Sequence, residues 1–342
     1  MLRPWFHRFK RKARALSRQS PNTGVALVVV VYNMPEQAKK TLYSLTSHYQ
    51  QGVTESDYDV VVVENRSLNN LPADFIQSLP KNFSYHLRDE TNLTPVFAAN
   101  YGAALCRRSH VALLVDGARM VTPGVVKNIL RGHRLHHNYV VSVPGYHLGR
   151  QLQQRAVEQG YGVVEESQLL ASIDWPRNGY SLFDIACFSG SCTAGLFKQH
   201  SESNCISVPK SLWDHLGGLD EGFDHMGGGL VNLDFYKRAC EAPGFDHVLL
   251  MGEGTFHQFH GGVTTGGIGR QARESLIGQF QSQYRTLRGS SFEPPRTTPI
   301  FLGEIPKQLM RFIRLSSEVR NDGDIGVTPR IGNRSVRYIT ES

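Results

Sequence analysis

Three runs of apolar, largely β-branched residues constrain this chain most: Val25 to Val31, Tyr58 to Val63 and His110 to Val115. A strand with one wet face alternates apolar and polar residues. An unbroken apolar run fits a strand covered on both faces, as in a parallel sheet between helices. Helical patterns lie between the runs. Pro35 opens one at its first turn, with Ala38, Leu42 and Leu45 on one face. Thr94-Pro95 opens another as cap and first helical residue, followed by Ala98, Ala99, Ala103 and Leu105. The alternation predicts a right-handed, parallel, Rossmann-like half from about residue 22 to 130.

The second half is less regular. Tyr139 to Val143 reads as a strand, and Gly149 to Ala171 as a polar helical stretch. Gly-rich turns follow at Gly217-Gly218 and Gly227-Gly228-Gly229. A short helix runs from about Asn232 to Glu241 and is stopped by Pro243-Gly244. Val248 to Met251 is a short strand ending in Gly252-Glu253-Gly254. After Gly289 the chain turns Pro-rich and loses periodicity, apart from an amphipathic piece near Pro306 to Leu315. That tail is expected to wrap the domain or to lack fixed structure in part.

Charge is placed unevenly. The first twenty residues hold seven Lys or Arg and no acid, which equals the formal net charge of +7 for all 342 residues. The rest of the chain is neutral, which disfavours a nucleic-acid-binding surface. The arm interleaves Trp5, Phe6 and Phe9 with its basic residues, a pattern suited to an anionic membrane surface; the alternative is a solvated, frayed terminus. No apolar run of about 18 residues exists to cross a membrane. Met1 to Ser20 lacks the apolar core of a signal peptide, which argues against export. Five cysteines, an odd number with no C-x-x-C, read as reduced thiols. The expected place is the cytoplasm, with peripheral docking on the inner face of a membrane if the arm binds there.

In an open parallel sheet, ligands sit beyond the carboxyl ends of the strands. There the sequence offers Tyr32-Asn33, Glu64-Asn65-Arg66-Ser67 and Asp116-Gly117-Ala118-Arg119. No G-x-G-x-x-G follows the first strand and no Walker A motif occurs, which argues against dinucleotide dehydrogenases and P-loop phosphotransferases. What remains is a site of carboxylates and amides, able to accept from hydroxyls or to hold a divalent cation on a diphosphate.

The segments Val28 to Asn33, Val61 to Ser67, Asn92 to Gly102, Leu113 to Gly117 and Gly217 to Phe223 together resemble the family 2 glycosyltransferases. The resemblance spans roughly residues 25 to 262. It implies an α/β chain of GT-A type, a Rossmann-like mixed sheet flanked by helices. That makes one large domain with a C-terminal extension. The chain then divides into a basic arm (1–21), a donor half (22–130), an acceptor and catalytic half (131–275) and the extension (276–342). The implied activity is transfer of a sugar from a nucleotide-diphosphate sugar to a glycan, lipid-linked or protein acceptor, with inversion and with Mg²⁺ or Mn²⁺.

By this resemblance Tyr32 and Glu64, with Asn33 and Asn65 beside them, flank the donor's base and ribose. Asn100 is the amide facing the donor, and Asp116 is the first carboxylate of a D-x-D metal motif. The third position of that motif is Ala118. Mg²⁺ can keep waters and lean on phosphates, so one carboxylate can suffice; alternatively Arg119 neutralises the diphosphate. The family's Glu-Asp pair is also absent, since Gly227 to Leu233 carries no acid. Asp234 is then the nearest carboxylate for a general base, with Asp224 and Glu221 in reserve. The competing reading of Asp234 is a carboxylate that complements a helix dipole.

His257 and His260 would lie on opposite faces of a strand but converge in a turn. The resemblance implies a histidine from this late region on the cation, and imidazole suits Mn²⁺ better than Mg²⁺. The bland reading is packing against Phe256 or Phe259. Trp175, Trp213 and Tyr180 can stack on a sugar or pack in the core. Two further functions fit the same fold: a non-catalytic nucleotide-sugar or glycan binder, and a nucleotidyltransferase. The second would normally carry a Gly-rich basic loop where Asn33 to Glu36 stands.

Overall fold

A computed structural model describes residues 22–263 and 269–318. The basic arm, and with it the expected membrane contact, lies outside the described residues. The strands are β1 (Asn22–Val31), β2 (Tyr58–Asn65), β3 (Phe83–Arg88), β4 (Arg108–Leu114), β5 (Arg119–Val121), β6 (Tyr139–Ser142), β7 (Gly145–Leu148), β8 (Ala186–Phe188), β9 (Cys205–Pro209), β10 (Asp246–Met251), β11 (Thr255–His257) and β12 (Ile300–Gly303). The α-helices are α1 (Pro35–Ser44), α2 (Ala73–Gln77), α3 (Val96–Leu105), α4 (Val125–Leu135), α5 (Gln153–Ala156), α6 (Val163–Ala171), α7 (Lys210–Leu216), α8 (Val231–Cys240), α9 (Arg270–Arg288) and α10 (Met310–Glu318).

Eight strands form one mixed sheet in the order β12-β10-β6-β9-β4-β1-β2-β3, flanked by helices. The β3-β2-β1-β4 portion is wholly parallel, as the apolar runs require. β9 enters antiparallel between β4 and β6 and separates the two parallel portions. The alternation on β1 explains its unbroken run. Val28 and Val30 face one core with Val96, Ala99 and Phe235 of α3 and α8. Val25, Leu27, Val29 and Val31 face another with Ala38 and Leu42 of α1 and Ile129 of α4. A second sheet, β5-β11-β7-β8, has its own aromatic core around Tyr146, Phe183, Phe256 and Phe312.

Several details differ from expectation. α3 begins at Val96 with Pro95 before it, and the Thr94 hydroxyl donates instead to the Phe223 carbonyl (2.9 Å). The polar stretch after Gly149 breaks into α5, a 3₁₀ turn and α6, because Gly160 takes a left-handed conformation between them. α9 is a nineteen-residue helix that runs across position 276, where an irregular extension was expected to start. β12 then places part of the Pro-rich tail on the sheet edge. All five cysteines are free thiols. Among the described residues no helix is long and apolar enough to cross a membrane.

Candidate active site

The carboxyl ends of β1, β2 and β4 meet the second sheet. Asp116 leaves β4 in a turn whose tightness rests on Gly117: a Cβ there would stand 2.9 Å from Val31 Cγ2. The Ala118 N–H donates to Asp116 Oδ1 (2.9 Å), which fixes the carboxylate and leaves Oδ2 toward Arg119 and His257. β5 starts at once and pairs antiparallel with β11, so Arg119 lies opposite His257. β11 pairs with β7, which puts His147 opposite His257 on the other side. Directly opposed residues share a face, so Arg119, His257 and His147 form one row.

Asp116, His257 and His260 converge. One ligand atom from each lies within 4.8 Å of the others. His257 Nε2 is 3.1 Å from His260 Nε2 and 3.9 Å from Asp116 Oδ2. β11 ends at His257, and the turn that follows brings His260 back beside it. The turn is held from two sides. Gln37 of α1 donates to the Phe259 carbonyl (2.7 Å), and the Phe259 N–H donates to the Glu166 carboxylate of α6 (2.7 Å). Burial pushes both imidazoles below the ordinary histidine pKa, with Arg119 adding to the effect, so both are neutral at pH 7. Burial raises Glu166 to about 7.

Arg119 is the cation of the site. It is 8% exposed, and its Nε stands 3.3 Å from Asp116 Oδ2 without the alignment of a hydrogen bond. Its Nη1 is buried and has no hydrogen-bond partner among the described residues. A buried guanidinium with unused donors is costly unless an anion completes it.

The donor set fits a divalent ion. Two ligands each about 2.1 Å from one ion and at right angles stand about 3 Å apart, and wider angles open the separation toward about 4 Å. The separations of His257 from His260 (3.1 Å) and from Asp116 (3.9 Å) fall in that range. Two neutral imidazoles and one carboxylate favour Mn²⁺ over Mg²⁺, which prefers oxygen.

The other residues singled out in the sequence fare differently. Tyr32 is half exposed at the end of β1. Asn33 has the only positive φ among described non-glycine residues (53°), a conformation that Asn tolerates, and its Oδ1 accepts from Asn69 (3.0 Å). The Asn65 side-chain oxygen is buried and has no hydrogen-bond partner among the described residues. Glu64 is 0% exposed: its oxygens accept from the Leu71 N–H (3.1 Å) and the Tyr85 hydroxyl (2.6 Å), which directs it into the protein and away from a ribose. Asn100, expected to face the donor, is likewise engaged within the protein. It donates to the Leu219 carbonyl (2.8 Å) and accepts from the Leu219 N–H (2.9 Å), so both its polar groups brace the Gly217-Gly218 turn.

Asp234, expected as the general base, has its carboxylate turned into the protein. It is 1% exposed, and two guanidinium groups hold its carboxylate: Arg238 Nε at 2.7 Å, and Arg288 Nε and Nη2 at 2.6 and 2.8 Å. Asp224 is exposed, and its Oδ1 accepts from Gln283 (2.6 Å). Glu221 is exposed as well. Trp213 packs on Phe235 in the core, Trp175 against Tyr43 and Tyr49, and the Tyr180 hydroxyl donates to buried Glu253. Sequence reasoning passed over His147, Gln153 and Glu166. His147 reaches the cluster on a four-residue strand, and Gln153 and Glu166 reach it from the short helices α5 and α6, none long enough to mark them by periodicity.

The chain matches no known sequence family. No curated protein matches it either. Among solved structures it is similar to S. aureus TarS, at 10% identity and a TM-score of 0.48, over 77% of this chain and 44% of that one. It is similar to S. aureus TarS 1-349 in complex with UDP-GlcNAc, at 12% identity and a TM-score of 0.48, over 77% and 67% of the two chains. The same segment in complex with UDP gives 12% identity and a TM-score of 0.47, over 77% and 72%. The chain thus spans less than half the length of the first of these.

Proposed function

We propose that this chain is a glycosyltransferase that takes a sugar from a nucleotide-diphosphate donor, with a divalent cation, and inverts the anomeric centre. The observation that carries this reading is the convergence of Asp116, His257 and His260 beside a buried Arg119 with unused donors. A carboxylate and two neutral imidazoles suit a cation, the guanidinium suits an anion, and a metal diphosphate presents both. The arrangement lies past the carboxyl ends of the central strands, where such sheets bind ligands.

In this reading Asp116 and the two histidines would hold the ion, which when bound withdraws charge from the diphosphate as a Lewis acid. Arg119 donates to the same diphosphate and stabilises the charge that builds as the glycosidic bond breaks. Tyr32, Asn33 and Asn65 stand at the strand ends for the nucleoside. Asp224 accepts the proton of the attacking hydroxyl, which approaches the anomeric carbon from the face opposite the leaving group. Asp220, on the same loop, is paired with Arg288 and is not free for that role.

The test is calorimetric titration of the protein with UDP, GDP and dTDP, each with Mn²⁺ and with EDTA, on wild type and on Asp116→Ala. Binding of one nucleotide that needs both Mn²⁺ and Asp116 is the expected result, and it also names the donor class. Nucleotide binding indifferent to both would assign the diphosphate to Arg119 alone. No binding of any nucleotide would overturn the donor site.

A further inference from the structure

We propose that Gln153 is a positioning residue: it fixes the ring tautomers of His257 and His147 and so turns the His257 Nε2 lone pair toward Asp116 and His260. The ion-binding consequence rests on the function proposed above; the tautomers themselves do not.

The groups around Gln153 admit no choice of donor and acceptor. Gln153 is 0% exposed and opens α5. Its side-chain Nε2 lies 2.9 Å from the His257 carbonyl oxygen, which can only accept. The amide orientation follows, with NH₂ toward that carbonyl and Oε1 toward the ring. Oε1 is in hydrogen-bond contact with His257 Nδ1, and an amide oxygen can only accept. His257 Nδ1 therefore carries the proton and Nε2 is bare. The backbone N–H of the same Gln153 lies 3.1 Å from His147 Nδ1. A backbone N–H can only donate, so His147 is bare at Nδ1 and protonated at Nε2. One residue thus gives neighbouring strands opposite tautomers.

A ligating histidine commonly donates its other ring N–H to a polar group, which orients the ring and raises its basicity. Here a neutral amide does this with two bonds to a single residue. The bond to the His257 backbone carbonyl fixes the amide, and a ring flip would then cost the bond at Nδ1. A carboxylate in that position would accept from Nδ1 but could not donate to the His257 carbonyl.

The test uses the full-length, metal-free protein with ¹⁵N-labelled histidine, His257→Gln and His147→Asn serving to assign the ring signals. Wild type should show His257 protonated at Nδ1 and His147 at Nε2. Gln153→Leu should release His257 to exchange between tautomers and should weaken Mn²⁺ binding, read by electron paramagnetic resonance, about 10–100-fold. Gln153→Glu, which keeps the acceptor, should retain the Nδ1 proton. A wild-type His257 protonated at Nε2 overturns the proposal. So does a Gln153→Leu protein with unchanged tautomers and unchanged Mn²⁺ affinity. If Gln153→Leu fails to fold, the wild-type and Gln153→Glu spectra decide. If the tautomers are as stated but wild type binds no Mn²⁺, the positioning role stands and the ion is lost from the function proposed above.

Discussion

Asp224 and Asp234 carry the same functional group in opposite surroundings. Asp234 is buried between Arg238 and Arg288, so neutralising it removes the carboxylate that two partly buried guanidinium groups share, although Arg288 keeps Asp220. Breaking a buried pair from one side typically costs about 3–5 kcal/mol. Asp234→Asn is expected to lose stability on that scale in urea titration. Asp224→Asn touches an exposed group and should move stability by less than about 0.5 kcal/mol. It should instead lower turnover at least about 100-fold, the usual scale for a lost general base. Equal effects on stability, or turnover unchanged in Asp224→Asn, would remove Asp224 from its proposed role. Asp116 and the histidine pair were legible in the sequence because a strand end and glycine flanks mark them locally. Asp234 was not: its partner Arg288 lies at the end of a helix the sequence did not reveal. Asn100 misled for the same reason, its role being set by Leu219, distant in sequence but adjacent in the fold.

At the scale of elements, β1, β2 and β4 could be read because each is long enough for an unbroken run. β5, β7, β8 and β11 have three or four residues each, and only their pairing makes them a sheet. α9 was missed because its described core contacts are sparse, Phe280 and Tyr284 alone being fully buried. Leu276 and Leu287 pack beside them, and polar groups anchor the helix as well. Arg288 bridges Asp220 and Asp234, and Gln283 reaches the Gly222 carbonyl (3.3 Å) and Asp224. The helix therefore clamps the glycine-rich loop of residues 217–229, where Gly218 has φ +68° and a Cβ would stand 2.6 Å from Asn100 Oδ1. A double-mutant cycle checks the clamp. Arg288→Met and Asp234→Asn act on one network, so together they should cost less than the sum of the two alone, by about 0.5–3 kcal/mol. Amide exchange in Arg288→Met should quicken in α9 and in that loop and stay unchanged in β1 and β2. Additive costs would mean that the helix docks through its apolar face alone.

Over the whole molecule, buried titratable groups set opposing dependences of stability on pH. Burial raises Glu253 to about 7 although Thr122, Asn128 and Tyr180 all donate to it. Glu166 is raised to the same value. A carboxyl with a raised folded pKa favours folding below its unfolded value near 4.5, and that contribution is lost as pH rises through about 7. Each amounts to at most about 3 kcal/mol. Imidazoles buried neutral act in the other direction. His110, His133 and His247, all away from the cluster, have lowered pKa values through burial, so their contribution is present above about 6.5 and lost as pH falls. The two kinds of group therefore oppose each other between about pH 4.5 and 6.5, and a difference measurement separates them. Glu253→Gln removes one falling contribution without adding charge. The stability of that variant relative to wild type should therefore grow steadily from pH 4.5 to 7 and level off above. Thermal melts of both proteins at matched pH read the difference directly, and because only the difference enters, the other carboxylates cancel. A difference independent of pH would mean that Glu253 is ionised in the folded protein, its three donors outweighing its burial.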